Sequence, residues 1–212
     1  MLKYEERLNK DWDLALSEGS QFFEDKGAVQ KALKRISARL QDLGIPYAVA
    51  GGMALYRHGH RRFTEDVDLL VNRESLPVIH EELEGLGYIA PFAKSKNLRD
   101  TESGVRIEFL IAGDYPGDGK PKPVAFPNPQ DVSVELDGIR YLGLPTLIEL
   151  KLASGMTHPK RGKDLVDVME LVIALRLPRE FAEKLNPFVR DKFEEIWNTA
   201  NGPDPTGNEE AS

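Results

Sequence analysis

The segment from 51 to 71, GGMALYRHGHRRFTEDVDLLV, constrains the fold of this chain more than any other stretch. It follows a short apolar run, and we predict a buried strand over Tyr47–Ala50 that stops at the two glycines. A short helix follows the glycines, and a second strand is predicted over Asp66–Val71. Side chains alternate along a strand, so the carboxylates of Asp66 and Asp68 face the same side of the sheet. Such a pair repels itself unless a cation lies nearby.

A divalent cation would satisfy this pair of carboxylates. Glu108 stands in a third predicted strand, Val105–Ile111, and could complete a three-carboxylate cluster suited to Mg²⁺ or Mn²⁺. The sequence has no cysteine, which excludes disulfides and thiolate metal sites and leaves oxygen or histidine ligands. We therefore predict that Asp66, Asp68 and Glu108 are both metal ligands and catalytic residues.

The two glycines at the start of the segment point to a second ligand. Gly51 and Gly52 allow backbone N–H groups to approach a ligand closely, and the helix that starts there favours phosphate. The basic loop from Arg57 to Arg62 adds a local positive patch. Phosphate together with a divalent metal indicates nucleotide chemistry.

The remaining sequence divides into a mixed core and a helical second half. A helical apolar stripe runs from Val29 to Leu43, a Gly- and Pro-rich loop covers 113–129, and a hairpin is predicted about Asp137-Gly138. Further helices are predicted over Leu76–Leu86, Pro145–Leu152, Gly162–Leu175 and Arg179–Ala200. We therefore expect N-terminal helices over 1–44, a catalytic core over 45–144, a C-terminal helical region over 145–200 and a disordered tail over 201–212.

Composition narrows the class of protein. No segment reaches the run of roughly 20 apolar residues that a membrane span requires, and the N-terminus lacks the apolar core of a signal peptide. We expect a soluble cytoplasmic protein with no membrane partner. The net charge of −7 argues against broad electrostatic adhesion to nucleic acid but leaves room for a local basic patch.

The spacing of these motifs resembles a known superfamily. A Gly-Gly pair that ends a strand, then thirteen residues, then Asp-Val-Asp in a strand resembles the signature of the DNA polymerase beta-like nucleotidyltransferase superfamily, with Glu108 as its distant third carboxylate. Within that superfamily the succession of Arg62, Thr64, Asp66 and Asp68 resembles AbiEii-type toxins and related uncharacterised nucleotidyltransferases.

Two later stretches strengthen the resemblance. LPTLIELKLASG and RGKDLVDV resemble the lysine-bearing and aspartate-bearing motifs of that group, with Lys151 and Asp164 at the matching positions. The resemblance covers roughly Ile45 to Leu175. It implies an α/β (α+β) nucleotidyltransferase fold, in which a small mixed sheet is flanked by helices and followed by a C-terminal helical region.

The resemblance also implies a reaction. An acceptor hydroxyl would attack the α-phosphate of a nucleoside triphosphate and release pyrophosphate, with Glu108 binding the metal nearest the attacking oxygen. The acceptor would be an RNA end, a protein or a small molecule, and an antitoxin protein is a possible partner. The nucleotide-binding set that these motifs predict is Gly51, Gly52, Arg62, Thr64, Lys151 and Asp164.

Several alternatives stay open at this stage. Glu108 could pair with Arg106 or Arg140 across the sheet, Lys151 could extend its ammonium from an amphipathic helix to solvent, and Asp164 could cap the helix that begins near Gly162. In function, the same fold could serve as a catalytically silent nucleotide-binding or interaction module. A metal-dependent phosphohydrolase is a further alternative.

Overall fold

The computed structural model describes residues 3–202, and a mixed sheet of seven strands forms the centre of this part. The strands are, in chain order, β1 (Tyr47–Val49), β2 (Asp66–Val71), β3 (Tyr88–Ile89), β4 (Leu98–Asp100), β5 (Arg106–Ile111), β6 (Ser133–Leu136) and β7 (Ile139–Leu142). Their order across the sheet is β3-β4-β5-β2-β1-β7-β6. β2 runs parallel to β5 and antiparallel to β1, and β1 runs parallel to β7.

Helices flank the sheet and form the C-terminal part. They are α1 (Tyr4–Lys10), α2 (Trp12–Phe23), α3 (Ala28–Asp42), α4 (Gly51–Arg57), α5 (Ser75–Leu83), α6 (Pro129–Val132), α7 (Leu144–Thr157), α8 (Gly162–Leu175) and α9 (Pro187–Asn201). Short 3-10 helices cover Pro159–Arg161 and Arg179–Lys184. The mixed α/β class predicted from the sequence, with a mixed sheet flanked by helices, is therefore confirmed.

The core packs one face of the sheet against helices. The predicted stripe of α3 is buried, with Val29, Ile36 and Leu40 fully shielded from solvent, and α3 packs against β2. Helices α7, α8 and α9 pack against one another, and α7 also contacts α4. The helical second half thereby lies next to the glycine-rich end of β1.

Strand β2 alternates as predicted. Val67 and Leu69 are fully buried, whereas Asp66 and Asp68 lie on the other face and are partly exposed. In the parallel register of β2 with β5, Asp66 lies opposite Arg106, and Asp68 lies opposite Glu108. This register therefore places three carboxylates and one guanidinium on the same face of the sheet, near its centre.

Most predicted elements are confirmed, with shifted ends. The helix expected after the glycines begins at Gly51 itself, and the helix predicted over Pro145–Leu152 continues to Thr157. The hairpin turn is confirmed at Asp137 and Gly138, both with positive φ (50° and 74°), as two-residue hairpin turns favour.

Other predictions differ from the structure or lie outside it. α5 ends at Leu83, before Gly85 and Gly87, whose positive φ values of 82° and 99° break the helix. Strands β3 and β4, at one side of the sheet, were not predicted, because each spans only two or three residues. Of the predicted tail, residues 203–212 lie outside the described part, and within 3–202 no helix combines the length and apolarity needed to cross a membrane.

Candidate functional site

The three predicted carboxylates meet on the exposed face of the sheet. Asp66, Asp68 and Glu108 each offer one oxygen, and these oxygens all lie within 4.8 Å of one another. β2 supplies the first two through its alternation, and the parallel neighbour β5 supplies the third at the same level. The structure therefore brings together the cluster that the sequence predicted.

Arg106 neutralises part of this cluster. Its guanidinium donates to Asp66 Oδ2 at 2.9 Å and pairs with Glu108 Oε1 at 3.0 Å. Thr64 Oγ1 donates to the other oxygen of Asp66 at 2.8 Å. The pairing of Glu108 with Arg106, raised as an alternative to the cluster, thus exists together with it, whereas Arg140 lies near Glu135 instead.

Asp68 is the carboxylate without a counter-ion. Among residues 3–202, no basic side chain lies within ion-pair distance of it. Burial raises the pKa of Asp68 to about 7, and the charges of Asp66 and Glu108 contribute in the same direction. A metal ion bound to this carboxylate would therefore compete with a proton near neutral pH.

The donor set fits a hard divalent cation. Three carboxylates with converging oxygens are ligands that Mg²⁺ and Mn²⁺ prefer, and a cation would relieve the repulsion that raises the pKa of Asp68. Asp66, Asp68 and Glu108 are the residues that would hold it.

The glycine pair has a neighbour that the sequence did not reveal. A Cβ at Gly51, whose φ is +54°, would lie 1.7 Å from Asp68 Oδ2, and a Cβ at Gly52 would lie 2.6 Å from the Cβ of Thr64. A side chain at either glycine would therefore disturb the acidic cluster directly.

A second polar cluster lies beside the first and is buried. Lys151 Nζ, on α7, donates to Asp164 Oδ1 at 2.9 Å and to Asp167 Oδ2 at 2.7 Å, both on α8. Arg62 makes a two-pronged contact with Asp167, at 2.8 and 3.1 Å. The Lys151 side chain is only 8% exposed. Lys151 therefore does not extend its ammonium to solvent, and the alternative prediction that it does is wrong.

Asp164 is likewise an ion-pair residue. Ser154 Oγ and Arg161 Nε donate to its Oδ2 at 2.7 and 2.8 Å, and it lies in the first turn of α8 rather than at the cap. Burial by itself raises the pKa of Asp164 and Asp167, but the Lys151 ammonium and the hydrogen bonds to both carboxylates outweigh burial and hold each pKa below its ordinary value. Both carboxylates are therefore ionised at neutral pH.

The two clusters line one cavity of about 540 Å³. Its lining includes the three-carboxylate cluster and apolar side chains, among them Phe126, Leu147 and Leu150. The cationic lining consists of Arg62, Arg106, Lys151, Lys160, Arg161 and Lys163. The cavity has the size of a small-molecule site and the charge of a site for an anion.

Sequence reasoning missed three residues of this site. Asp167 was not proposed, although its spacing from Asp164 places both on one face of α8. Arg106 was considered only as a structural partner of Glu108, although strand alternation aims both side chains at the same face. Arg161 belongs to no sequence pattern that indicates a site residue. All the predicted site residues line this cavity, as do Arg106 and Arg161.

Comparisons with known proteins identify the family of the chain. The model of a family described as uncharacterised nucleotidyltransferase matches residues 5–185. No curated protein matches the chain in sequence.

One solved structure shows the same fold, and two others are similar at lower TM-scores. ANT(2'')-Ia, solved in complex with adenylyl-2''-tobramycin, superposes with a TM-score of 0.52 at 16% identity, over 79% of this chain and 97% of that one. JHP933 from Helicobacter pylori is 19% identical over 86% of this chain and 83% of that one, with a TM-score of 0.43. A nucleotidyltransferase-like protein from Paracoccidioides brasiliensis is 16% identical over 67% and 74%, with a TM-score of 0.44.

The family match spans most of the chain and includes both clusters. The chain belongs to the family of uncharacterised nucleotidyltransferases.

Proposed function

We propose that the protein is a metal-dependent nucleotidyltransferase that moves a nucleoside monophosphate from a nucleoside triphosphate to an acceptor hydroxyl. The observation that carries this proposal is the convergence of Asp66, Asp68 and Glu108 in a cavity that cationic side chains also line. In the reaction, the acceptor oxygen forms a bond to the α-phosphorus. The bond from that phosphorus to the bridging oxygen breaks, and pyrophosphate leaves with the electron pair.

The acidic cluster has two tasks in this proposal. When bound, Mg²⁺ or Mn²⁺ supplies charge neutralisation for the phosphates and lowers the pKa of the acceptor hydroxyl. Asp66 and Asp68 hold the cation from one strand, and Thr64 fixes the orientation of Asp66 through its hydrogen bond. Glu108 receives the acceptor proton in this proposal.

The cationic lining binds the triphosphate in this proposal. Lys160 and Lys163 line the cavity, and neither forms an ion pair with another residue of the described range. The first N–H groups of α4, at Gly51 and Gly52, have no acceptor within the helix and add hydrogen-bond donors. Lys160 and Lys163 are therefore the cations available to phosphate.

Arg62, Lys151 and Asp164 act on the shape of the site. Arg62 and Lys151 already form ion pairs with carboxylates on α8. Their role in this proposal, shared with Asp164, is to hold the helical region against the catalytic core. In this scheme residues 45–144 supply the reacting centre, and residues 145–200 supply the opposite wall.

The acceptor is an RNA end, a protein hydroxyl or a small molecule. The resemblance to AbiEii-type toxins supports the first two, and the adenylyl-2''-tobramycin bound to ANT(2'')-Ia supports the third. A toxin would require an antitoxin partner. Expression of the wild type should then arrest growth, and expression of Asp66→Ala should not.

A transfer assay tests the proposal. The protein is incubated with Mg²⁺ and each of four nucleoside triphosphates labelled at the α-phosphate, together with RNA, cell-extract protein or a small-molecule fraction. We expect label in one acceptor class for the wild type and for Glu135→Gln, which alters an exposed carboxylate on β6, but not for Asp66→Ala.

Two other results would replace the proposal. Nucleotide binding without transfer to any acceptor would identify a silent nucleotide-binding module. Release of free labelled nucleotide or inorganic phosphate, dependent on Asp66, would identify a phosphohydrolase.

A further inference from the structure

Arg106 contacts the same carboxylates that would bind the metal. Arg106 lies on β5, opposite Asp66 of β2. Its two terminal nitrogens lie 2.9 Å from an oxygen of Asp66 and 3.0 Å from an oxygen of Glu108. The remaining oxygen of Asp66 accepts the Thr64 hydroxyl. Both oxygens of Asp66 therefore already have partners, and a cation that uses Oδ2 must compete with a guanidinium.

The surroundings of Arg106 allow it to leave. Its side chain is 42% exposed, whereas that of Lys151 is 8% exposed. Release of Arg106 therefore does not leave a buried guanidinium without a partner. Arg106 also lines the cavity, alongside Lys160 and Lys163. A guanidinium displaced from the carboxylates would remain at the cavity wall, and its planar set of N–H groups matches the geometry of phosphate oxygens.

We propose that Arg106 is an exchangeable counter-ion of the acidic cluster, displaced from Asp66 and Glu108 by the divalent cation and then bound to the phosphates of the nucleotide. The proposal rests on the proposed function, because it takes the cluster as the metal site and the cavity as the nucleotide site. Arg106 would prevent repulsion among the three carboxylates before the metal binds, and it would oppose metal binding in the absence of nucleotide.

This exchange couples the two ligands. Metal binding breaks two contacts of Arg106, and nucleotide binding gives the guanidinium a new partner. Metal and nucleotide should therefore each raise the affinity of the protein for the other, by the same factor. The factor would be smaller without the exchange, so an arginine with a purely structural role would leave its size unchanged when replaced.

Titration calorimetry with Mn²⁺ tests the exchange, with and without a nucleoside triphosphate analogue that has a methylene between the α- and β-phosphates. The variants are Arg106→Ala, Arg106→Lys and the control Arg140→Ala, which alters an arginine of similar exposure on β7. Without nucleotide, Arg106→Ala should bind Mn²⁺ roughly tenfold more tightly than the wild type, the effect expected from removing two partly exposed ion pairs. Arg106→Lys should fall between the two, because an ammonium cannot bridge both carboxylates as a guanidinium does.

The analogue should raise Mn²⁺ affinity in the wild type and in Arg140→Ala, and much less in Arg106→Ala. In EDTA, Arg106→Ala should melt below Arg140→Ala, because its three carboxylates then face one another without a cation. Equal or weaker binding of Mn²⁺ alone by Arg106→Ala, or undiminished coupling to the analogue, would overturn the exchange.

The outcomes separate this inference from the proposed function. Tighter Mn²⁺ binding by Arg106→Ala in a protein that transfers no nucleotide would support the exchange and reject the transferase. No Mn²⁺ binding by the wild type or Arg106→Ala, with or without the analogue, would overturn both.

Discussion

Gly51 leaves open the space that the Asp68 carboxylate occupies. The two residues are on different elements, the start of α4 and the middle of β2, and a Cβ at Gly51 would lie 1.7 Å from Asp68 Oδ2. Gly51 also has a φ of +54°, a conformation that residues with a side chain rarely adopt. Both the backbone and the neighbour therefore require glycine here.

Gly51→Ala should destabilise the protein by more than the strain of its backbone alone. A residue in the left-handed region costs roughly 1–2 kcal/mol, and the contact with Asp68 should add about 1–3 kcal/mol. Gly44→Ala is the matched control, because Gly44 has a φ of +64° and no atom near its missing Cβ. Urea unfolding of both variants measures the difference.

The additional destabilisation by Gly51→Ala, relative to Gly44→Ala, should depend on Asp68. In an Asp68→Ala background the two nearest carboxylate atoms are gone, so Gly51→Ala should then cost little more than Gly44→Ala. An excess that is unchanged in this background would show that Asp68 is not the obstructing group.

Asp66→Ala should abolish transfer with little effect on stability. Its ion pair with Arg106 is partly exposed, and Arg106 keeps Glu108 as a partner, so we expect a change of about 1 kcal/mol or less in EDTA. That corresponds to a shift of roughly 2–4 °C in Tm for a chain of this size. Transfer should fall by more than about 100-fold, since even partners of metal ligands contribute up to that much. A Tm far below that of the wild type would instead assign Asp66 a structural role.

Lys151→Met should destabilise the protein strongly. Lys151 is the shared partner of Asp164 and Asp167, and all three side chains are nearly inaccessible to solvent. Breaking a buried pair costs about 3–5 kcal/mol, whereas the exposed pair of Arg179 with Glu194 should contribute less than about 1 kcal/mol. Thermal melts of Lys151→Met beside Arg179→Ala compare the two. Equal effects would show that the buried cluster does not join α7 to α8.

The cost of Lys151→Met should also depend on pH. The folded-state pKa values of Asp164 and Asp167 lie below the ordinary value of 3.8, so their stabilising effect is present above that pH and is lost as the pH falls through the folded-state values. The difference in unfolding free energy between the wild type and Lys151→Met should therefore shrink in acid. A difference that stays constant down to pH 2 would contradict ion pairing.

Asp68 should have the opposite pH dependence. Its folded-state pKa is raised from 3.8 to about 7, so the folded protein binds a proton more tightly than the unfolded chain does. This contribution to stability is fully present below pH 3.8 and is lost as the pH rises through about 7. In EDTA, Asp68→Asn should match the wild type near pH 4 and exceed it in stability at pH 8. A gap that does not grow with pH would refute the raised pKa.

The elements that carry the site follow from local patterns. Alternation along DVDLLV predicted that Asp66 and Asp68 share a face, and the apolar run around Glu108 predicted a strand there. These inferences hold because the period of a strand is a property of its own backbone. The predicted bounds of α8 and the hairpin turn at Asp137 hold because they too depend on local residues: Gly162 begins α8, Pro178 follows it, and Gly138 completes the turn.

The partners of the charged residues did not follow from the sequence. Arg62 and Asp167 are 105 positions apart and form a two-pronged ion pair. Nothing local distinguished Asp167 from a solvated helix residue or Lys151 from one that reaches water. The pairing of such groups depends on distance and burial together, because an ion pair gains strength only where water is excluded.

The sequence by itself therefore determined the strands and helices that carry the site residues, and the shared strand face of Asp66 and Asp68. Only the tertiary structure decided that β5 lies beside β2 in the register that sets Arg106 against Asp66, and that α8 turns Asp164 and Asp167 toward Lys151. The physical reason is that side-chain alternation and helix ends depend on a few neighbouring residues. Strand register and ion pairing, by contrast, depend on how distant segments pack.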